Sequence, residues 1–327
     1  MRTFFDMEDR LERLTKIGDS LVKLNEVVDW DLFRQRLEEI FYVEDTRDGG
    51  RRHYDRVLMF KILILQNLYN ISDDNTEYQI NDRLSFQRFL GLDIGDRVPD
   101  AKTIWAYREH LSKSGQYKEL FELYLRQLEK AGLVTKRGSI VDATFVERPR
   151  QNNGGKGQES ETEKANRERQ TDKDAAYAIK NKKRYFGFKN HIKVDTDSKL
   201  ITGYTVTPAN RHDGKEAPNV LDATDENVYL DSCYRGKEME AAIQQAAPNA
   251  KIHIVRKHDG YHEPTAEQLK GNAVIQRIRQ RVEHVFGYMV KSMGGKNIRS
   301  CGLPRAEVHV TLKNLAYNMR RVCILMG

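Results

Sequence analysis

Three carboxylates, Asp142, Asp231 and Glu283, lie within or beside apolar segments, where an isolated negative charge is expensive. Asp142 interrupts SIVDATFV and Asp231 interrupts NVYLDSCY, short runs of the kind that form strands covered on both faces. A lone carboxylate in such a place needs a counter-ion to offset its desolvation. Hard divalent cations such as magnesium take oxygen ligands. Three carboxylates around two such ions, about 3.5–4 Å apart, can activate water and stabilise both oxygens of a phosphodiester displacement. Each acid also has a plainer use: either aspartate can cap a turn after a strand, and Glu283 can sit on a helix surface. Their joint placement is what points to a metal site.

The elements that must position these acids begin at Gly138. The pattern predicts strands at 138–146, 185–195 and 199–208, with a turn at Asp195–Ser198 making the second and third a hairpin. A helix near 215–224 comes next, then strand 227–232, helix 236–247, strand 250–256 and helices 271–292 and 305–325. Three strands followed by alternating helix and strand is the order of a ribonuclease H-like fold, a mixed five-stranded α/β sheet flanked by helices. There the first and fourth strands are adjacent and parallel, so Asp142 and Asp231 can meet where parallel strands end. Glu283 sits at the edge of the helical stripe Ile275, Ile278, Val282, Val285, Phe286 and Met289, with Arg279 one turn earlier and Gly287 one turn later. Arg279 can hold a phosphate, and the missing side chain at Gly287 lets a DNA backbone approach. The alternative is an Arg279–Glu283 surface pair worth a few tenths of a kcal/mol.

Between the first two strands, residues 147–184 are rich in Gln, Asn, Gly, Lys and Glu and almost without apolar side chains, too polar to pack as core. They read as a mobile insertion that orders against DNA, or as a plain disordered loop. Residues 1–136 are expected to be helical, with amphipathic stretches at 8–24, 29–41, 54–68, 77–90, 101–111 and 117–131. Asp100 is placed to cap the helix AKTIWAYREHL, which with 77–90 makes a candidate helix-turn-helix; a plain helical hairpin fits the same pattern. On the first reading Lys102, Thr103 and Arg108 face DNA, while Ile104, Trp105 and Leu111 pack. The domains are thus 1–136, helical and DNA-binding, and 137–327, catalytic, with 147–184 as its insertion.

Charge narrows the partner. The formal net charge of +7 is concentrated from Arg256 to Gly327, where 13 Lys/Arg face 5 Asp/Glu. A basic segment on an otherwise balanced chain favours a polyanion, nucleic acid first, although a solvated basic surface has the same composition. Cys233, Cys301 and Cys323 have no zinc spacing and suit a reducing cytoplasm. The charged N-terminus is unlike a signal peptide, and RVLMFKILILQNLY is too short and too interrupted to span a bilayer. No phosphate-cradling glycine loop suggests an NTP, and no nucleophile elbow suggests a hydrolase triad. In VTPANRHDG, Asp213 is read as capping the next helix and His212 as a hydrogen-bonding partner.

SIVDATFV, VYLDSCYRG and RQRVEHVFGYMVK together resemble the DDE signature of bacterial transposases of insertion sequence family 5. The resemblance continues through HYDRVLMFKILILQNLYNISDDNTEYQINDRLSFQRFLGL, YFGFKNHIKVD, VTPANRHD and LKNLAYNMRR, nearly the whole chain. Intervals of 89 and 52 residues between the acids leave no room for a large domain before the glutamate. The related signature Tyr-x2-Arg-x3-Glu-x6-Lys is met by Arg279 and Glu283; Gln276 replaces the tyrosine, and Lys291 stands one residue past the lysine position. The resemblance implies DNA-end contacts for Arg279 and Lys291, and for Tyr234 either the family's aromatic role after the second aspartate or packing on the sheet. No Trp in the catalytic half is available to stack a flipped base, since Trp30 and Trp105 are both N-terminal.

The resemblance implies a transposase that binds terminal inverted repeats and cuts and joins DNA with two magnesium ions, manganese being the substitute. Asp142, Asp231 and Glu283 would be the metal ligands, at least two chains would bring two ends together, and the setting would be the bacterial cytoplasm and nucleoid. A ribonuclease H-like nuclease that joins no strands and a domesticated DNA-binding regulator are the rivals.

Overall fold

The structure, a computed structural model, describes residues 6–42, 53–93, 95–149, 160–258 and 263–327. The chain divides into two compact units, one of residues 1–126 with 311–327 and the other of 127–310.

The first unit contains helices α1 (Asp6–Lys16), α2 (Ser20–Val27), α3 (Arg34–Ile40), α4 (Arg56–Tyr69), α5 (Asp73–Asp82), α6 (Leu84–Leu90), α7 (Ala101–Ser114) and most of α8 (Tyr117–Lys130). The expected helix at 8–24 is divided at Gly18, whose φ of 95° lies outside the helical range, and Asp19 caps the second piece through Leu21 N–H. The helix at 77–90 is divided at Arg83, which is extended. Helix α4 is buried along most of its length, from Val57 to Leu68. Its Lys61 ammonium lies 5.4 Å from the Trp30 ring and 4.7 Å from that of Phe89, and burial pulls its pKa down to about 8.

Sequence order places residues 311–327 in the catalytic domain; in the structure they belong with the helices. Leu312, Leu315, Ala316 and Met319 are fully buried, and Lys313 Nζ donates to the Asn67 carbonyl of α4 at 3.0 Å. A buried ammonium needs such an acceptor.

Among the described residues, the second unit is built on six strands: β1 (Ser139–Glu147), β2 (Ala176–Lys180), β3 (Lys183–Asp195), β4 (Ile201–Pro208), β5 (Asn227–Leu230) and β6 (Lys251–Ile254). The order is β2-β3-β1-β5-β6, with β4 also paired to β3. Strand β3 runs antiparallel to β1, β2 and β4, whereas β1, β5 and β6 are parallel. This is a ribonuclease H-like sheet with one strand more than the five expected: β2 comes from inside the polar insertion. Gly187 lets β1 and β3 close, because a Cβ there would lie 2.3 Å from the Val146 carbonyl oxygen.

The insertion is less simple than its composition. Residues 150–159 lie outside the described residues, but α9 (Glu161–Gln170) and β2 come after them. Arg148 pairs with Asp172, their side chains being 5% and 0% exposed. Asp172 also accepts from Gly302 N–H at 3.0 Å, and Arg148 Nη2 reaches Cys301 Sγ at 2.9 Å. Two charged side chains at the ends of a polar segment have therefore entered the interior, because each satisfies the other.

One side of the sheet packs Val141, Val228 and Leu230 against Ile243 of α10 (Lys237–Ala246). The expected helix at 215–224 is instead two short turns, Asp213–Lys215 and Ala217–Asn219, the second carrying Pro218. The polar turn before β5 is held from within: Lys193 Nζ, 5% exposed, lies 3.0 Å from Asp225 and 2.6 Å from Asp222, and Ser139 Oγ donates to Asp225 at 2.5 Å. The unit also contains α11 (Ala266–Lys291) and the first part of α12 (Leu303–Leu325).

Candidate active site

Alternation along β1 sets Asp142 on the same face as Ile140, Thr144 and Val146, opposite to Val141. Parallel pairing of Ile140 with Tyr229 brings the end of β5 alongside, and Asp231 is the first residue after that strand. Both carboxylates are held by the backbone just beyond them: Ala143 N–H donates to Asp142 Oδ1 at 2.8 Å, and Ser232 N–H to Asp231 Oδ1 at 2.6 Å. Asp142 keeps its other oxygen, Oδ2, for a further partner.

Helix α11 supplies that partner. Thr265 and Gln268 form a reciprocal capping box at its start. Asn272 exchanges two hydrogen bonds with the Arg256 backbone, at 2.8 and 2.6 Å. Val282, Val285 and Met289 are buried as the apolar stripe requires. Arg281 donates to the Thr196 carbonyl, and Lys199 Nζ lies 3.1 Å from His284 Nδ1, so the β3–β4 turn is tied to the same helix. Thus anchored, Arg279 places Nη2 3.1 Å from Asp142 Oδ2 and Nη1 3.7 Å from Asp231 Oδ1. The alternative expectation, an Arg279–Glu283 pair, is not what forms.

The two aspartates respond differently. Burial pushes the Asp142 carboxyl above its usual range, with Arg279, the Ala143 N–H and Lys180 opposing. Asp231 is more open, at 37% exposed against 23% for Asp142. Burial also raises its pKa, but the Ser232 N–H, Arg279 and Lys257 outweigh that and hold it below the usual range. Two residues on, burial and then Asp231 push the Cys233 thiol up to about 12.

Glu283 is exposed, one turn beyond Arg279, and makes no hydrogen bond or ion pair among the described residues. Nor do any three His, Cys, Asp or Glu side chains among the described residues form a metal-holding group. The structure therefore brings two of the three expected acids together and leaves the third at their margin. A Cβ at Gly287 would meet nothing within 4 Å, so that stretch of helix surface is open.

Of the other expected contact residues, Lys291 is exposed in the last turn of α11. The lysine that does reach the acids' face is Lys296, which donates to Thr144 Oγ1, two residues along β1 from Asp142. Burial lowers its pKa. Sequence reasoning missed Lys296, Lys180 and Lys257; only the local excess of basic residues hinted at the first and third. Tyr234 is fully buried in the core with Val141 and Ile243, which settles it as packing. Asp213 does not cap a helix: it pairs with Lys189 Nζ at 2.7 Å, and it is His212 Nδ1 that accepts from Gly214 N–H.

In the helical unit, Asp100 caps α7 as expected, accepting from Thr103 N–H at 2.6 Å. Lys102 is exposed. Arg108 is committed elsewhere, to a two-pronged pair with Asp73 at 2.6 and 2.7 Å and to Gln66 at 2.8 Å. Trp105, expected to pack, is 48% exposed, whereas Ile104 and Leu111 are fully buried.

Residues 134–319 match the family described as Transposase DDE domain, more than half of the chain. The chain belongs to that family. Residues 9–110 match a second one, described as Transposase domain (DUF772). Among solved structures, a chain titled as piggyBac transposase in a synaptic complex with hairpin DNA aligns over 92% of this chain and 72% of its own, with 12% identity and a TM-score of 0.46. This DDE transposase is an enzyme of DNA cleavage and transposition, and such domains generally use divalent metal ions. Asp142 and Asp231 suit that use: both are hard oxygen donors, and they already share one cationic group, the Arg279 guanidinium. No helix among the described residues is long and apolar enough to cross a membrane.

Proposed function

We propose that this enzyme is a transposase of the insertion sequence family 5 type, which binds the terminal inverted repeats of its element, cuts at their ends and joins the freed 3′ ends to target DNA. The observation that carries the reading is the convergence on one cation of Asp142, within β1, and Asp231, just past the end of the neighbouring parallel strand β5, in a chain of the transposase DDE family. Asp142, Asp231 and Glu283 would hold the metal, two magnesium ions with manganese as substitute. Metal bound there supplies an activated water or 3′-hydroxyl as nucleophile and stabilises the leaving 3′ oxygen.

The chain's own residues do the rest. The Ala143 and Ser232 N–H groups fix one oxygen of each aspartate, so both carboxylates are oriented before anything binds. Arg279 and Lys296 bring positive charge to the face where a scissile phosphate must lie. Water and then the 3′-hydroxyl serve as the nucleophiles, so no covalent protein–DNA intermediate is needed. End recognition is assigned to the helical unit, with exposed Lys102 and Trp105 on α7 as contact residues in place of Arg108. At least two chains act together, because two ends must be joined in concert, and the setting is the bacterial nucleoid.

The test uses Asp142→Asn, Asp231→Asn and Glu283→Gln, which keep shape and remove charge. Each is expected to abolish magnesium-dependent cleavage and strand transfer on a labelled duplex ending in the inverted repeat that flanks the gene. Affinity for that duplex, measured without metal, should be retained or rise slightly. Normal cleavage by any one folded variant removes that acid from the site. Cleavage without joined product by the parent protein means a nuclease instead, and no cleavage by the parent means a regulator.

A further inference from the structure

Arg279 satisfies its charge and not its hydrogen bonding. Its two terminal nitrogens face the aspartates at 3.1 and 3.7 Å, with 15% of the side chain exposed. The third nitrogen, Nε, is buried and hydrogen-bonds to nothing among the described residues. A buried donor left without a partner is costly. A phosphate would reverse the balance, because Nε–H and one Nη–H form a planar fork that matches two phosphate oxygens. A second sign comes from the helix itself. Glu283 is one turn away on the same side, yet the three acids do not gather while the guanidinium lies between two of them.

We propose that Arg279 is a built-in counter-ion that holds the Asp142–Asp231 pair until a DNA phosphate draws it away, so that the acids accept divalent metal chiefly when DNA is bound. This rests on the metal-dependent reading above. Metal and guanidinium draw on the same pair of carboxylates, and Arg279 already occupies Asp142 Oδ2, so they compete. DNA that engages Arg279 removes the competitor, and by reciprocity metal must tighten DNA binding by the same factor. The apparent metal affinity of the DNA-free protein is then reduced by the fraction of molecules in which Arg279 has left the pair. The switch needs no movement of the sheet, only a change of partner by one side chain on an anchored helix.

The experiment titrates the full chain with manganese, followed by calorimetry and by paramagnetic resonance of the free ion, with and without the repeat-end duplex. Parent protein should bind weakly alone and at least about tenfold more tightly with duplex, within the usual range of coupling. Arg279→Gln should bind manganese at least about tenfold more tightly than the parent without DNA, and duplex should then add little. Its melting temperature should fall in metal-free buffer and recover on adding manganese, which keeps the result readable if the two carboxylates repel. Arg279→Lys, which keeps the charge but loses the planar fork and part of the length, should lie between parent and Arg279→Gln. A folded Arg279→Gln that binds manganese no more tightly than the parent overturns the proposal, as does parent-like affinity in Arg279→Lys should the glutamine variant not fold. Asp142→Asn separates the two readings. If it abolishes manganese binding while Arg279→Gln behaves as the parent, the metal site stands and the counter-ion role falls. If manganese binding survives Asp142→Asn, the metal site itself is misassigned.

Discussion

His191 shows how a residue outside the chemistry can set the pH range of this enzyme. It is 1% exposed, with Nε2 2.9 Å from Thr207 Oγ1 and Nδ1 buried without a hydrogen bond among the described residues. Burial drives its pKa down to about 4, against opposing pulls from Asp213 and Glu216. The folded state thus keeps the ring neutral at a pH where an unfolded chain, with a histidine pKa of about 6.5, already binds a proton. Stability is complete above that value and should fall as pH drops towards 4, by up to about 1.4 kcal/mol per unit. Chemical denaturation across that window should show the slope in the parent and a flatter one in His191→Gln; parallel curves would count against the assignment. Nothing local in the sequence marks His191 as buried. Asp142, Asp231 and Arg279 do stand out, because a charge inside an apolar run is visible in one dimension. Lys296 does not, since it reaches β1 from beyond the end of α11, and no periodicity crosses that gap.

At the scale of elements, the buried Arg148–Asp172 pair closes the polar insertion upon itself and ties it to residues 301–302. Removing one partner of such a pair leaves the other charge stranded, at about 3–5 kcal/mol. Asp172→Asn or Arg148→Met should therefore lower stability by an amount of that order and speed proteolysis within 150–175. The double substitution Arg148→Met/Asp172→Leu should be milder than either single one, as a double-mutant cycle of urea midpoints would reveal. Additive losses would mean that the two residues act independently. Low hydrophobicity conceals this lock, and with it β2, because composition averages over a segment and cannot show that two of its charges face each other. Strands β1 and β5 are legible because their apolar runs report burial directly. The turns at 213–219 read as a helix in the sequence, since the helical period is hard to judge over so few residues, and Pro218 removes a donor.

For the molecule as a whole, the placement of residues 311–327 in the helical unit changes what a fragment carrying that unit should contain. A fragment of residues 1–136 lacks Leu312, Leu315, Ala316 and Met319, all fully buried, and the Lys313 bond to Asn67. It is expected to melt less cooperatively than the full chain and to gain stability when a peptide of residues 303–327 is added, through burial of about 1.5–3 kcal/mol per large side chain. Calorimetric melting of the fragment with and without peptide decides this; no response to the peptide would place the boundary back at the sequence-based position. Pairing between distant parts of a chain leaves no local pattern, and so the expected domains keep to the order of the sequence.

That same arrangement has a consequence during synthesis. The catalytic unit is inserted in the sequence of the helical one, so ribosomes complete the ribonuclease H-like sheet before residues 311–327 have emerged. Domains usually mature in the order in which they are made. Here the N-terminal helices must wait for the fully buried Leu312, Leu315, Ala316 and Met319 while a later unit finishes first. Any nascent chain abandoned before residue 311 is left without a finished helical unit, which makes an early stop a poor source of that unit as a free-standing fragment.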